Sequence, residues 1–403
     1  MEDTLYRAMD KYINEYCKNE EIVIWGGGIQ AKEFLDNSNL KINKIVYDND
    51  ENKKGRCLGK NNSYFIETGS EICHNVKKNM WILIISRYDE EISKQLIAFG
   101  YENLLSLRMI KKQIEIEQNI KNGEFEVCML EATNFCNARC TFCINPRMKR
   151  KKMHMSQEVF EKIIERLKEE SISPKIFRLH CSGEPLLDPG LFEKMKVLKE
   201  EFPESEVGYT TNFSVATDEI IEKILAVKQD YITISLNAVE AKEYRSIMGL
   251  DYDKTISNIK KLLLRKEEMN SNIKIVLSAV ADADGTDLIE AFKELWENEN
   301  LSVRIMKKGE WVDGEKGEKR AELKRNYNRN LCGFLHREIC ILSDGRYGVC
   351  CFDAEGNMGE MNIFNTGIIE SFSEKKSWRT PFYLGQALPP DCKACSFFND
   401  KKL

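Results

Sequence analysis

Residues 126–147 read EVCMLEATNFCNARCTFCINPR: an apolar, β-favouring run that gives way at once to a polar loop with cysteines at 136, 140 and 143. Three thiols within eight residues, spaced Cys-x3-Cys-x2-Cys, form a set of soft donors suited to an iron-sulfur cluster or zinc. Three protein ligands leave one metal position open, the arrangement that catalytic metal sites use. A structural zinc site that joins Cys140 and Cys143 to a second cysteine pair elsewhere is the competing arrangement.

Downstream of this loop, strand and helix alternate about six times. Short apolar segments (KIFRLHC, EVGYT, YITISLN, IKIVLSAV, SVRIM) are separated by amphipathic ones such as SQEVFEKIIERLKEE and DPGLFEKMKVLKEEF. Repeated β/α units predict right-handed crossovers and a parallel sheet, hence an α/β fold with a partial (β/α)6 barrel over residues 125–306. Upstream, EIVIW, INKIVYDND and MWILIIS alternate with helical stretches, which predicts a smaller α/β unit over 1–110. Polar, helix-favouring residues 111–124 read as a connector. Residues 307–331, strongly charged and nearly free of aliphatic side chains, read as an exposed linker. A cysteine-rich unit, 332–403, closes the sequence.

Bulk properties narrow the function. With 60 basic and 65 acidic residues interspersed, the net charge is −5, without the positive field that nucleic acid demands. The opening MEDTLYRAMDKYINEYCK lacks the basic-then-apolar order of a signal peptide, and no segment approaches the ~18 apolar residues of a membrane span. A cytoplasmic protein with no membrane partner is expected. Fourteen cysteines at close spacings in a chain of this kind point to metal or redox chemistry rather than disulfides.

The cysteine loop and the β/α units downstream of it resemble the radical S-adenosylmethionine (SAM) superfamily over roughly residues 125–306. That resemblance implies a 4Fe-4S cluster on Cys136, Cys140 and Cys143, with SAM chelating the fourth iron, and Phe142 packed beside the adenine. CSGEPLL at 181–187 resembles the family's Gly-Glu-Pro motif, so Gly183, Glu184 and Pro185 would meet the SAM amino group, a carboxylate pairing an ammonium. TTNF and ISLN resemble strand ends at which Asn212, Ser235 and Asn237 contact the ribose or carboxylate. These motifs fall at the C-terminal ends of successive strands, where β/α barrels place their sites. The implied reaction is reductive cleavage of SAM to a 5'-deoxyadenosyl radical and hydrogen abstraction from a substrate.

The tail, LCGFLHREICILSDGRYGVCCFD at 331–353 and LPPDCKACSFF at 388–398, resembles the auxiliary-cluster domains called SPASM and Twitch, the shorter one-cluster Twitch form in particular. It implies an auxiliary 4Fe-4S cluster on Cys332, Cys350, Cys392 and Cys395, with Cys340 as the substitute for Cys332; zinc is again the alternative. Cys351 is the candidate catalytic residue, donating a hydrogen atom as a cysteine does in radical epimerases. Cys181 reads as filling space, and His180 as a strand histidine that is hydrogen-bonded or faces substrate. Arg304 and Lys307 are candidate holders of a phosphate or carboxylate. The basic run RMKRKK at 147–152 is a candidate dock for an acidic electron donor, a flavodoxin or ferredoxin type.

WGGGIQA at 25–31 follows a strand and places Gly26, Gly28 and Ala31 where backbone amides approach a pyrophosphate, with Asp48 closing the next strand. The region resembles Rossmann-like modules attached to enzymes of surface-sugar pathways. Taken together, the resemblances imply a radical SAM oxidoreductase or epimerase acting on a small-molecule substrate: a sugar, nucleotide sugar or polyol. A peptide maturase is the alternative enzyme, and a non-catalytic iron-sulfur or nucleotide-binding sensor the alternative of another class.

Overall fold

The computed structural model describes residues 2–281, 286–296, 301–307, 332–379 and 392. Their strands form two sheets. The first runs β3-β4-β2-β1-β5-β6, from β1 (Ile22–Trp25), β2 (Ile42–Asp48), β3 (Cys57–Leu58), β4 (Tyr64–Thr68), β5 (Trp81–Ile84) and β6 (Leu104–Ser106). All neighbours are parallel except β3, which turns back against β4. Strands β1 and β5 are apolar runs buried along nearly their whole length, as parallel sheets require, whereas β2 is buried only over its C-terminal half. The short β3, β4 and β6 carry too few apolar residues to stand out in the sequence.

The second sheet contains β7 (Val127–Leu130), β8 (Ile176–Arg178), β9 (Glu206–Thr211), β10 (Tyr231–Ser235), β11 (Lys274–Ala281) and β12 (Ser302–Lys307), each parallel to the next. These are the six strands expected from the β/α alternation. A seventh, β13 (Glu338–Ile341), pairs in parallel with β7 and extends the sheet beyond the barrel strands. The cysteine-rich unit therefore begins inside the barrel sheet rather than beside it.

Alternation along each strand divides the side chains between two faces. Phe177 and Leu179, Val207 and Tyr209, Ile232 and Ile234, and Ile275 and Leu277 are buried in one continuous core with helix residues such as Phe160, Ile163 and Leu167. The helix Gln157–Glu169 starts at Ser156, whose side chain accepts the Val159 amide, and then presents apolar residues at helical spacing. Burying one such Leu or Phe contributes roughly 1.5–3 kcal/mol. The other face turns inward and is largely polar, and there the candidate site lies.

The helix Leu107–Lys121 spans the expected connector. Leu107, Ile110 and Ile114 pack into the first sheet's core, whereas Ile116 and Ile120 pack into the barrel core. At 3.6 residues per turn these sets occupy opposite sides of the helix. The polar segment thus carries two narrow apolar stripes, one for each core.

Candidate active site

The cysteine loop leaves β7 and crosses the C-terminal ends of the neighbouring strands. Its backbone is docked at several points: Arg139 N–H donates to the Met248 carbonyl and Thr141 N–H to that of Ile247, each at 2.9 Å, and Cys143 N–H closes a turn on the Cys140 carbonyl at 3.0 Å. Gly183 explains how closely the second motif approaches it. A Cβ at that position would stand 2.1 Å from the Thr133 carbonyl oxygen and 2.8 Å from that of Phe135. The adjacent Glu184 N–H donates to the same Phe135 carbonyl at 2.8 Å. Gly183 is therefore required for contact between two backbones, independently of any positive φ.

Glu184 is buried under this contact. Its carboxylate accepts the Thr211 hydroxyl at 2.5 Å, the Asn212 amide at 2.7 Å and the Leu186 amide at 3.1 Å. Burial pushes its pKa up to about 7, against the pull of those donors. Cys136 and Cys140 are half-buried, and desolvation raises their thiols to about 11 and about 12; Cys143 is raised by the same cause. Electrostatic repulsion among the cysteines adds to the rise at Cys136 and Cys140, as does Glu184.

These features fit a cationic iron-sulfur core. Three soft donors converge in one half-buried loop where, without positive charge, ionisation is costly. Among the described residues, no three Cys, His, Asp or Glu side chains gather closely enough for a single metal ion.

Several residues hold the loop that the motif reading did not single out. The Asn212 side-chain amide donates to Asn137 Oδ1 at 2.9 Å, Asn137 donates to Ser214 Oγ at 2.8 Å, and Ser214 returns its hydroxyl and N–H to Asn212 Oδ1 at 2.7 and 3.0 Å. This closed ring ties the residue after Cys136 to the end of β9. It engages the side chain through which Asn212 was expected to meet SAM. Asn237 is engaged too: its Oδ1 accepts the Val280 amide at 2.9 Å and its Nδ2 faces Met248 Sδ at 3.2 Å. Ser235 is half-buried and in register with Ser278 on β11. Phe142 is half-buried and Pro185 buried.

The basic run is not a freely solvated patch. Lys152 Nζ donates to the carbonyls of Asn134 and Asn145 and to Asn145 Oδ1, at 3.0, 3.2 and 2.9 Å. Arg150 is buried: its Nη2 lies 2.7 and 2.8 Å from the two oxygens of Glu131 at the end of β7, and its Nε donates to the Ala354 carbonyl at 2.7 Å. Glu131 also accepts the Ser343 amide and hydroxyl at 2.9 and 2.8 Å. Two of the six residues are thus internal struts, and Arg150 clips the loop to the C-terminal unit. Its buried partners Glu131 and Ala354 lie 19 and 204 residues away, where sequence spacing gives no signal.

In the cysteine-rich unit, Cys332, Cys350 and Cys392 are half-buried, and Cys395 lies outside the described residues. Cys351 interacts electrostatically with Cys350, Cys181 and Cys332, and burial raises its thiol. Cys340 is fully buried beside them. It is buried on β13 with Met129 and Leu342, packed against Cys181 and Cys351. Cys181 Sγ lies 3.6 Å from the Cys351 carbonyl oxygen. Cys181, expected merely to fill space, thus joins Cys340 and Cys351 in a thiol cluster between the Gly-Glu-Pro segment and the C-terminal unit.

In the first sheet, Asp48 Oδ2 accepts the Gly27 amide at 2.6 Å and Lys53 Nζ at 2.9 Å, while Oδ1 accepts the Asp50 amide at 2.8 Å. Its carboxylate closes the glycine turn on the neighbouring strand. Gly26 has φ +121°, and a Cβ there would lie 2.2 Å from the Ile85 carbonyl oxygen. Close packing of β1 on β5 requires that glycine. Gly28 is open, at the start of the helix Ile29–Asn37.

Residues 130–300, less than half of the chain, match the family model described as the Radical SAM superfamily. The chain is 25% identical over 177 residues to a GTP 3',8-cyclase of Chlorobaculum tepidum, covering 44% of this chain and 52% of that one. It is 23% identical over 228 residues to a GTP 3',8-cyclase of Clostridium perfringens, covering 55% and 66%. The match to the first of these spans about half the relative's length. Among solved structures, it is similar to anSMEcpe with bound AdoMet and Cp18Cys peptide (TM-score 0.49, 17% identity, covering 68% of this chain and 87% of that one). It is also similar to BtrN in complex with AdoMet and 2-DOIA (TM-score 0.44, 17% identity, covering 68% and 93%). Among the described residues no helix is long and apolar enough to cross a membrane.

Proposed function

We propose that the protein is a radical SAM oxidoreductase or epimerase acting on a sugar, nucleotide sugar or polyol. The observation that carries the radical chemistry is the half-buried trio Cys136, Cys140 and Cys143, docked through Gly183 onto the Glu184 segment at the ends of the barrel strands. The polar inner face of the barrel favours a hydroxyl-rich substrate.

In this reading Cys136, Cys140 and Cys143 hold the first cluster and Glu184 orients the SAM ammonium. When bound, cluster and SAM together supply a carbon radical able to take a hydrogen atom from a substrate. The protein's part is to hold and exclude. The Asn137–Asn212–Ser214 ring fixes the loop, and Lys152 and Asn145 close its far side. Cys332, Cys350, Cys392 and Cys395 would hold the auxiliary cluster. In an epimerase Cys351 would deliver a hydrogen atom from Sγ; in an oxidoreductase it would stay intact. A flavodoxin or ferredoxin type protein would supply electrons.

The test is product analysis in deuterated buffer after anaerobic reconstitution, with sugars, sugar nucleotides and polyols as candidates. A deuterated epimer or a ketone supports the proposal. Turnover confined to a peptide would replace it with the maturase reading.

A further inference from the structure

The inward face of the barrel carries charge that the SAM site does not use. Arg178 on β8 and Arg304 on β12 both lie on that face, opposite the strand residues that fill the helix-side core. Arg178 is in register with Gly208, and Gly208 with Tyr231. With no side chain at 208, the Tyr231 ring passes 2.7 Å from where its Cβ would stand. Tyr231 thereby lies across β9 toward Arg178. His180 follows two residues on, and its Nδ1 accepts the Thr210 amide at 3.1 Å, which leaves Nε2 as the protonated, donating nitrogen.

Arg178 and Arg304 differ in their partners. Arg178 Nη1 donates to Glu338 Oε1 at 3.3 Å across the sheet, whereas Arg304 is exposed and has no carboxylate partner among the described residues. Glu338 keeps its second oxygen buried with no hydrogen-bond partner, and the buried Tyr231 hydroxyl lies beside Arg178. A guanidinium without a counter-ion calls for an oxyanion. A buried carboxylate oxygen without a donor calls for a hydroxyl. We propose that this lumen is a binding site for a hydroxylated small molecule bearing a phosphate or carboxylate, with Arg304 and Arg178 on the oxyanion and Glu338 and Tyr231 on hydroxyls. The use of that ligand as substrate rests on the radical SAM reading; its binding does not.

The experiment is anaerobic calorimetric titration of the reconstituted full chain at low ionic strength with inorganic phosphate in one arm and acetate in the other. The site predicts saturable binding of at least one anion, weakened roughly tenfold to a hundredfold in Arg304→Gln, since a charge-assisted contact is lost. Arg178→Lys, which keeps the charge beside Glu338, should weaken it less. Uncoupled formation of 5'-deoxyadenosine from SAM under dithionite should stay within about twofold in Arg304→Gln, because that residue lies outside the SAM machinery. Binding of neither anion, or equal binding by wild type and Arg304→Gln, overturns the proposal. Absence of deoxyadenosine from the wild type while phosphate still binds would sink the radical reading and leave this site standing.

Discussion

Substituting Gly183 by alanine tests how the cysteine loop is held. The new Cβ would stand 2.1 Å from the Thr133 carbonyl oxygen, whereas ordinary contact begins near 3.4 Å, so the two backbones must separate by about 1.3 Å. Nothing flexible lies between them, because the nearest atoms are main-chain oxygens and a carbonyl carbon. Overpacking of this kind typically costs about 1–3 kcal/mol, small enough for the fold to survive. Function should suffer more: a displacement of about 1 Å at a positioning element is worth about 10²-fold in rate. The expected result is a variant of near-native circular dichroism, with deoxyadenosine formation under dithionite reduced about a hundredfold. Gly28→Ala, where a Cβ meets nothing within 4 Å, is the matched control and should be unchanged. Equal SAM cleavage by Gly183→Ala and wild type would refute the claim that this contact seats the loop.

Cys140→Ala should abolish deoxyadenosine formation and spare the fold, read by product chromatography and thermal unfolding; unchanged cleavage would dissociate Cys140 from the site. Cys351→Ala should leave any oxidation intact and block any epimerisation, whereas loss of iron from that variant would make Cys351 a ligand. Arg150→Met leaves Glu131 buried without its guanidinium and should cost about 3–5 kcal/mol, read from denaturant unfolding. His180, held neutral with its pKa lowered to about 3 by burial and by Arg178 and Arg304, must take up a proton when the chain unfolds below its ordinary 6.5. Its contribution is therefore complete above pH 6.5 and is lost as pH falls toward 3. His180→Gln should flatten the pH dependence of the urea midpoint in that window, and an unaltered slope would contradict the assignment.

What the sequence revealed and what it hid divide along physical lines. The barrel strands were legible because each is a short apolar run bounded by an amphipathic helix, and periodicity reports that directly. β13 was not, since EICI sits among cysteines and pairs with β7 more than 200 residues earlier. The helix Leu107–Lys121 looked polar because its apolar residues divide between two opposite stripes, whereas a single wide stripe would have drawn attention. At the site, the cysteine trio and the Gly-Glu-Pro segment announced themselves by spacing. The roles of Arg150 and Lys152 stayed hidden because a basic run looks alike whether solvated or buried against distant carbonyls and carboxylates. Asn212 was singled out as a residue of the mouth, yet its side chain is occupied by Asn137 and Ser214, a pairing that only the folded loop creates. Cys181 joins Cys340 and Cys351 through packing between segments roughly 160 to 170 residues apart, which cysteine spacing cannot encode.

The central claim, that this chain performs radical chemistry with SAM at the Cys136–Cys140–Cys143 loop, is met most directly by one measurement: iron and sulfide content after anaerobic reconstitution, paired with chromatography of the nucleoside released from SAM under dithionite. The account predicts 5'-deoxyadenosine from wild type, none from Cys140→Ala, and about four fewer irons in that variant. A fully reconstituted wild type that leaves SAM intact would contradict it.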